Sequence, residues 1–598
     1  MNTEIIHHYS QLADQYKAIS DTKKKQLKLL SLARFICFIG IFPAYYYLNP
    51  VSSLMAILVA LLLLIAFLTL IKTFIQTEKK QLFNQQLVEI NRNEIEALNR
   101  NLTAFDPGNE FIDPHHDYSY DLDLYGAGSF FQFLNRTITN RGKTQLSNLL
   151  NQSLRPADQI VNRQGAIDEL AKELTWRQHF IAYGQETEDE KNKIQIDDSI
   201  GQQIILKSAM TLQFLLLTLP PLTLLLISLY AIGIVESAIY LPAVFLQWIL
   251  FILYSKTISR FHRQFESQAN LLGRYVQMLQ QIANRKFENS YLVALKEKLY
   301  SKGKTADLIT SELQVILNQF DYRQNILVGF VLNSVMLWDI RCLSKLYRWQ
   351  QDYKTDLPRW FEVIAEMDAL ISLSNCNYNH PDWTIPTLYG SEFQFKADNM
   401  GHPLIDEARC IRNSFQIIGS EQIVIITGAN MAGKSTFLRT VGINLILASA
   451  GCKVCAESFI FSPIRLFTNM RTTDNLMNDE SYFYAELLRL QTLLNLLREG
   501  ENLLVIIDEM LKGTNSTDKL NGSKALINQL ISLNTHGIVA THDLSLTELS
   551  TLYPSSIKNQ CFEVQLRDDE LIFDYKLSDG VTRTMNATFL MKKMGIIP

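Results

Sequence analysis

A glycine-containing loop between two apolar segments carries the residues best suited to chemistry. The stretch IVIITGANMAGKSTFLRT, residues 423–440, consists of an apolar run, a loop and the start of a helical pattern. Within it, Gly428, Gly433, Lys434 and Ser435 match the spacing G-x-x-x-x-G-K-[ST]. Glycines let backbone N–H groups approach phosphate oxygens, and the N-terminus of the following helix attracts anions. The sequence therefore predicts a nucleotide-phosphate site here.

This loop predicts ligands for a triphosphate along its whole length. Lys434 is expected to reach the β- and γ-phosphates, and the Ser435 hydroxyl is expected to hold Mg²⁺. The predicted nucleotide-binding residues are Gly428, Ala429, Asn430, Met431, Ala432, Gly433, Lys434, Ser435 and Thr436.

Two further strand-like runs end in polar residues that fit the same chemistry. NLLVIIDEM, residues 502–510, is an apolar strand pattern that ends in Asp508 and Glu509. Asp508 is expected to join Ser435 in the Mg²⁺ shell, and Glu509 to polarise the attacking water. GIVATHDL, residues 537–544, predicts a parallel strand that ends near His542, a candidate γ-phosphate sensor. These runs predict an α/β P-loop domain.

The residues around these motifs resemble the ATPase domain of the MutS family of DNA mismatch-repair proteins. TGANMAGKST is similar to the MutS phosphate loop, and Asn430 and Met431 are its specific part. DEMLKGTNSTD (residues 508–518), DNLMNDESYFYAEL (residues 474–487) and ATHDL are similar to further MutS segments, in the same order. The resemblance covers roughly residues 402–598.

The resemblance implies an ABC-ATPase-like fold of the MutS type that uses ATP and Mg²⁺. It also implies a homodimer in which Ser481 of one chain is offered to the γ-phosphate bound by the other. The catalytic residues expected on this basis are Glu509, His542 and Ser481. Cys410 stands where MutS proteins place an aromatic residue against adenine, so the preference for ATP over GTP rests on the family alone.

An upstream segment is similar to the start of the MutS core and lever region, where a strand leads into helices. Its D-R-T-x-T-x-x-G motif corresponds here to Asn135, Arg136, Thr137, Thr139 and Gly142. Residues 257–390 contain few glycines and prolines and show helical periodicity, which predicts the returning lever helices.

Four apolar runs interrupt the MutS-like pattern. They cover residues 31–48, 51–75, 208–235 and 238–254, and they form two pairs with short intervening turns. A helix of roughly 20 apolar residues can cross a bilayer. We therefore expect two transmembrane hairpins, with Tyr45, Tyr46 and Tyr47 at a membrane interface.

Lysine and arginine flank both pairs of apolar runs but are absent from the two turns. The flanking residues are Lys23, Lys24, Lys25, Lys28, Lys72, Lys79, Lys80, Lys207, Lys256, Arg260 and Arg263. The positive-inside rule then predicts a multi-pass protein of the inner membrane with its large segments in the cytoplasm.

The overall composition restricts the function classes. A formal net charge of −4 over 598 residues excludes a uniformly basic nucleic-acid-binding protein, so any basic surface is local. Seven cysteines in a chain of this length do not form a disulfide framework.

The predicted organisation has seven parts. They are an N-terminal cytoplasmic helix (1–30), a transmembrane hairpin (31–75), a helical linker (76–117), the first core and lever part (118–207), a second transmembrane hairpin (208–255), returning lever helices (256–390) and the ATPase domain (391–598). On the basis of the resemblance, we expect no counterpart of the mismatch-reading domain and the DNA clamp of MutS in this pattern, and membrane hairpins in their places.

Three functional hypotheses remain open from the sequence. The first is a membrane-anchored MutS-like ATPase that binds double-stranded, mismatched or structured DNA in a repair-type role. The second is a membrane scaffold that uses ATP as a dimer switch. The third is a transporter-like machine, although the apolar runs contain almost no charge and no LSGGQ-type segment occurs.

Overall fold

A computed structural model describes residues 2–185, 209–320, 326–390, 392–419, 422–471, 482–567 and 570–582. The chain divides into two compact units. The first comprises Met1–Leu174 together with Asp368–Pro598, and the second comprises Thr175–Met367.

The first unit begins with two long helices that form a hairpin. Helix α1 (Asn2–Leu48) and helix α2 (Ser53–Leu98) are joined by a turn in which Ser52 caps α2 by accepting a hydrogen bond from the Met55 N–H. The separate helix (1–30) and hairpin (31–75) expected from the sequence are therefore one continuous pair. Polar residues continue an apolar helix without a break because no helix-terminating residue separates them.

The segment after α2 corrects two expectations. The predicted helical linker (76–117) is helical only to Leu98, and the following residues form turns and a short 3₁₀ helix, Asn109–Phe111. The strand expected at the start of the core does not form. Residues 118–129 form turns and bends instead. Three helices follow: α3 (Phe130–Leu134), α4 (Asn140–Leu150) and α5 (Ala157–Ala171).

The second unit is mainly helical. Its helices are α6 (Leu174–Gly184), α7 (Ala209–Ala231), α8 (Ser237–Asn284), α9 (Ser290–Glu297), α10 (Ala306–Phe320), α11 (Ile326–Met336), α12 (Trp338–Tyr353) and the first part of α13 (Leu357–Asn379). The short strands β1 (Tyr300–Ser301) and β2 (Lys304–Thr305) form an antiparallel turn between α9 and α10, which the helical expectation for residues 256–390 did not include.

Four of the described helices are long and apolar enough to cross a membrane by length and composition. They are Thr3–Leu48, Ser53–Leu98, Leu212–Ala231 and Ser237–Ser259. At most 11% of the residues in their most apolar windows are buried within the protein. These helices thus expose apolar surface that the rest of the described chain does not cover.

The last part of the first unit contains two sheets. A four-stranded sheet is built from β3 (Thr387–Leu388), β4 (Gln394–Met400), β5 (Asn413–Ile418) and β7 (Ser458–Phe461) in the order β3-β7-β4-β5. A six-stranded sheet is built from β6 (Ile423–Gly428), β8 (Arg465–Asn469), β9 (Leu503–Asp508), β10 (His536–Thr541), β11 (Ile557–Arg567) and β12 (Glu570–Asp579).

The six-stranded sheet has the order β12-β11-β6-β10-β9-β8, and only the β11–β12 pair is antiparallel. Strand β6 is buried at every residue, as is typical of a parallel strand covered on both faces. The connecting helices are α14 (Lys434–Ala450), α15 (Tyr482–Arg498) and α16 (Ser516–Ser532); the short α17 (Leu549–Leu552) precedes β11. Because the strands are parallel, their carboxyl ends meet at one edge.

Candidate nucleotide site

A cleft of about 590 Å³ lies at the carboxyl ends of β6, β9 and β10. It is lined by eight consecutive residues of the predicted phosphate loop, Ala429 to Thr436, and also by Asp508, Glu509 and His542. Gly428 ends β6 directly before this loop. The fold therefore brings together residues that are more than 100 positions apart in the chain.

Lys434 lies at the start of α14, and its ammonium group occupies the centre of the phosphate loop. Its Nζ donates hydrogen bonds to the carbonyl oxygens of Gly428 (2.7 Å) and Ala429 (3.0 Å). Burial lowers the pKa of Lys434 to about 8, although the charges of Asp508 and Glu509 oppose this shift. The cation is thus desolvated, and two of its hydrogen-bond partners are uncharged carbonyl oxygens.

The loop backbone takes conformations that suit a phosphate cradle. Gly433 has φ 102°, which a residue with a side chain rarely adopts, and an added Cβ there would lie 3.0 Å from Cδ1 of Tyr575. Met431 has φ 67° despite its side chain, which is 77% exposed. Strain of this kind is concentrated at functional sites.

Glu509 is held at the edge of the cleft by backbone and side-chain contacts. Its backbone has φ 63°, and its N–H donates to the Ala540 carbonyl oxygen at 2.9 Å. Lys519 Nζ donates to Glu509 Oε1 at 2.6 Å. Burial favours a raised pKa at Glu509, but the hydrogen bond and charge of Lys519 outweigh it and lower the pKa. Glu509 is therefore a carboxylate beside the phosphate loop.

His542 follows β10 and lies next to the phosphate-loop lysine. Its ring nitrogens are 3.4 and 3.5 Å from Lys434 Nζ. Burial and the positive charge of Lys434 lower the pKa of His542, so the neutral ring is favoured. A neutral ring at this position can donate or accept one hydrogen bond at the phosphate end of the cleft.

Ser435 and Asp508 offer the oxygen ligands that Mg²⁺ prefers. The Ser435 hydroxyl comes from the start of α14, Asp508 comes from the end of β9, and both line the cleft. A hydroxyl, a carboxylate and substrate phosphates form a donor set that fits this ion. The predicted residue Ser481 lies outside the described residues.

Sequence reasoning missed Glu486, a buried residue of α15. Its carboxylate accepts hydrogen bonds from the backbone N–H groups of Leu511 (2.6 Å) and Lys512 (2.9 Å), directly after the strand end that carries Glu509. Burial raises the pKa of Glu486, while these two N–H groups oppose the shift. Its only sequence signal was a glutamate on an otherwise apolar helical face.

Tyr575 of β12 is a second residue that the sequence did not indicate. Asn413 of β5 donates through Nδ2 to the Tyr575 carbonyl oxygen at 3.0 Å and accepts from the Leu577 N–H at 2.9 Å. These bonds hold the ring against Gly433, where it lines the cleft. Cys410 also lines the cleft but has no ring. Tyr575 therefore supplies an aromatic side chain that Cys410 does not provide.

Comparison with known proteins identifies the domain that carries this cleft. Residues 424–595 match the protein-family profile described as MutS domain V. The match covers less than a third of the chain and shows similarity to the MutS-type ATPase domain, which implies ATP hydrolysis with Mg²⁺.

Curated relatives are distant and share only part of their length. The DNA mismatch repair protein MutS of Thermotoga sp. (strain RQ2) is 30% identical over 251 residues, which is 41% of this chain and 30% of that protein. DNA mismatch repair protein MSH4 of Arabidopsis thaliana is 32% identical over 200 residues, 33% of this chain and 25% of that protein. MutS protein homolog 4 of Homo sapiens is 27% identical over 292 residues, 46% of this chain and 28% of that protein. The chain thus spans less than a third of the relatives it matches.

Proposed function

We propose that the protein is a membrane-anchored, homodimeric MutS-like ATPase whose ATP binding and hydrolysis drive a conformational switch in a DNA-linked role. One observation carries the ATPase part of this proposal. Lys434, Ser435, Asp508, Glu509 and His542 converge in a single cleft at the edge of a parallel sheet. That set contains a phosphate-binding cation, oxygen ligands for Mg²⁺ and a base for water.

Each residue of the cleft has a distinct task in this proposal. Lys434 leaves the carbonyl groups of Gly428 and Ala429 and binds the β- and γ-phosphates. Ser435 and Asp508 hold Mg²⁺, which neutralises phosphate charge when bound. Glu509 polarises the attacking water, and His542 contacts the γ-phosphate.

The ion pair between Glu509 and Lys519 controls when Glu509 can act as a base in the proposed cycle. A carboxylate that is bonded to an ammonium group at 2.6 Å is a poor base for water. Glu509 must therefore exchange Lys519 for the water when the site closes. In the proposed dimer, closure follows when Ser481 of the partner chain reaches the γ-phosphate.

The exposed apolar helices support membrane anchoring. Their length suits a bilayer, and lysine and arginine flank each pair on the side away from its turn. Arg34 lies inside the first apolar run, and its guanidinium carbon is 4.0 Å from the centre of the Phe74 ring near the opposite end of the second run. This pairing puts the charge at the cytoplasmic boundary, where a cation–π contact satisfies it.

A buried polar network connects the first hairpin to the MutS-like core. Glu94 of α2 forms an ion pair with Arg136 at 2.5 Å and accepts a hydrogen bond from Asn379 of α13 at 3.1 Å. Asn379 in turn accepts from the Tyr9 hydroxyl of α1 at 2.8 Å. Both helices of the hairpin are thus fixed to the core, as transmission of a conformational change requires.

A second connection runs from α2 to the nucleotide cleft. Arg100 follows α2 and donates to the carbonyl oxygens of Pro403 (3.0 Å) and Ile405 (3.2 Å). Ile405 lines the cleft, next to Arg409 and Cys410. A nucleotide that moves this loop would act directly on the end of the hairpin helix.

The DNA-linked role rests on the relatives named above, which carry mismatch-repair names. The experiment that tests it is the ATPase rate of detergent-purified full-length protein without DNA and with plain, mismatched or branched duplexes. Stimulation by one DNA structure supports the proposal. An unchanged rate with every DNA, together with no salt-dependent DNA binding, assigns the ATPase to a membrane scaffold or a transporter-like machine instead.

Two variants test the assignment of roles in the cleft. Lys434→Ala is expected to lose nucleotide binding, because it removes the cation that contacts the phosphates. Glu509→Ala is expected to keep nucleotide binding but to lose turnover, and so to accumulate the ATP-bound dimer. If Glu509→Ala hydrolyses ATP at the parent rate, the base assignment is wrong.

A further inference from the structure

Helix α11 of the second unit lies in an apolar run of the sequence that is shorter than the four candidate membrane-spanning helices. The run 324–338 contains no aspartate, glutamate, lysine or arginine, and charged residues border it as Arg323 and Asp339. Helix α11, residues 326–336, is about 16 Å long at 1.5 Å per residue, which is too short to cross a bilayer. Apolar helices of this length are typical of cores or of elements that enter only one leaflet.

Helix α11 packs against the apolar part of α8. Trp248 of α8 donates through Nε1 to the Ser334 hydroxyl at 2.9 Å, and its ring lies 5.1 Å from the ring of Phe330. Trp248 belongs to the apolar segment Ser237–Ser259. It precedes Lys256, the first charged residue after that segment's apolar run, by eight residues, or about 12 Å along the helix.

The described polar side chains of α11 are hydrogen-bonded, as a hydrocarbon environment requires. Asn333 donates through Nδ2 to the Gly329 carbonyl oxygen at 2.9 Å, and Ser334 donates to the Phe330 carbonyl oxygen at 2.7 Å. These polar groups are therefore satisfied within the helix or by Trp248. By contrast, Phe330 is 57% exposed and Val331 is 58% exposed.

We propose that α11 is a third, non-spanning membrane element that lies in the cytoplasmic leaflet beside α8, with Phe330 and Val331 against lipid acyl chains. This inference rests on the proposed membrane placement of the second hairpin. Leu337, with φ 49°, then turns the chain out of the leaflet, and Asp339 and Arg341 follow directly in α12. The second unit thus contacts lipid through α7, α8 and α11.

Photo-crosslinking in proteoliposomes tests this placement. The photoreactive residue p-benzoylphenylalanine replaces Phe330, Phe245 or Tyr300 in separate full-length proteins, and lipid adducts are quantified by mass spectrometry. Phe245 is a 69% exposed residue of the apolar α8 segment, and Tyr300 is a 51% exposed aromatic residue of β1. We expect lipid adducts at positions 330 and 245, several-fold above those at position 300.

The three positions separate the possible failures. Adducts at 245 but not at 330, or adducts to protein rather than lipid at 330, overturn the placement of α11 and leave the hairpin proposal intact. No lipid adducts at either position overturn the membrane proposal itself. Equal lipid yields at 330 and 300 also overturn the inference, because lipid contact would then not be specific to α11.

Discussion

At the residue scale, the phosphate loop holds a cation in a buried environment that disfavours its charge. Lys434 is only 6% exposed, and its three nearest polar partners are two backbone carbonyl groups and the ring of His542. None of these partners carries a full negative charge, so burial dominates and the pKa falls to about 8. In the proposed function, a bound triphosphate supplies the missing negative charge.

The first prediction is that nucleotide affinity falls as pH rises above about 8. Free Lys434 loses its proton near that pH, whereas the phosphates of a bound nucleotide raise its pKa, so binding at higher pH must take up a proton. Affinity should then fall by up to about tenfold per pH unit. Isothermal titration in buffers of different ionisation enthalpy measures both the affinity and the proton uptake.

Lys434→Arg is the control for this pH dependence, because a guanidinium stays charged over the whole range. Its weaker binding should not change with pH in the same way. A constant affinity of the parent protein between pH 7 and pH 10 would contradict the predicted proton linkage.

The second prediction concerns Glu486, which we expect to act on catalysis by positioning the loop after Glu509. Glu486→Gln replaces one acceptor oxygen by an NH₂ group that faces the N–H of Leu511 or Lys512. The loop should shift, and kcat should fall about tenfold or more, as small displacements of catalytic groups do. The Kd for ATP should change little, because Glu486 does not line the cleft.

Glu499→Gln, an exposed position just beyond α15, is the matched control and should leave kcat unchanged. Steady-state kinetics and nucleotide titration separate the two effects. A parallel loss of binding and turnover in Glu486→Gln, or no loss of either, would rule out a positioning role.

At the scale of elements, the D-R-T-like segment of the core is explained by what it contacts. Thr139 caps α4, and the buried carboxylate of Asp368 in α13 accepts hydrogen bonds from the Thr139 N–H (2.9 Å) and hydroxyl (2.7 Å). Gly142 lets the backbone of α4 lie close to this carboxylate, because an added Cβ at Gly142 would lie 2.2 Å from Asp368 Oδ2. The motif therefore packs α4 closely against α13.

The third prediction is that Gly142→Ala destabilises the first unit. The added methyl group forces Asp368 away from Thr139, and overpacking of a buried site typically costs about 1–3 kcal/mol. The melting temperature of the detergent-purified protein should fall by several degrees. Gly390→Ala, at an exposed loop position with no neighbour near an added Cβ, is the control. An unchanged melting temperature in Gly142→Ala would show that α4 and α13 are not packed this closely.

At the scale of the whole molecule, the proposed site is complete only in a dimer. The proposed isologous dimer contains two such sites, and in this proposal each site needs Lys434 from one chain and Ser481 from the other. Met431 of the phosphate loop is exposed and places an apolar side chain at the rim of the cleft, where a second chain can contact it. Complementation between inactive chains can therefore test the shared site.

The fourth prediction is that two inactive variants restore each other. Lys434→Ala and Ser481→Ala homodimers should both lack turnover, but a heterodimer isolated through two affinity tags contains one intact site. It should show about half the parent turnover, as expected for one of two equivalent sites. A heterodimer of Lys434→Ala with the Lys434→Ala, Ser481→Ala double variant has no intact site and should stay inactive. An inactive first heterodimer would refute the shared site.

The sequence by itself determined the parts whose signals lie in contiguous residues. The loop from Gly428 to Ser435, the apolar strand that ends at Asp508 and the long apolar helices are local patterns, and the structure contains a strand, a loop and helices at these places. Local patterns are reliable where burial and backbone chemistry point to the same element.

Only the tertiary structure decided which distant residues contact one another. Glu486 binds the loop after Glu509, Tyr575 covers Gly433, and Asp368 fits against Gly142. The partners in these three pairs are far apart along the chain or lie on different elements, so no periodicity or spacing relates them. Their contacts depend on how helices and strands pack, and close packing is a property of the whole fold rather than of any one segment.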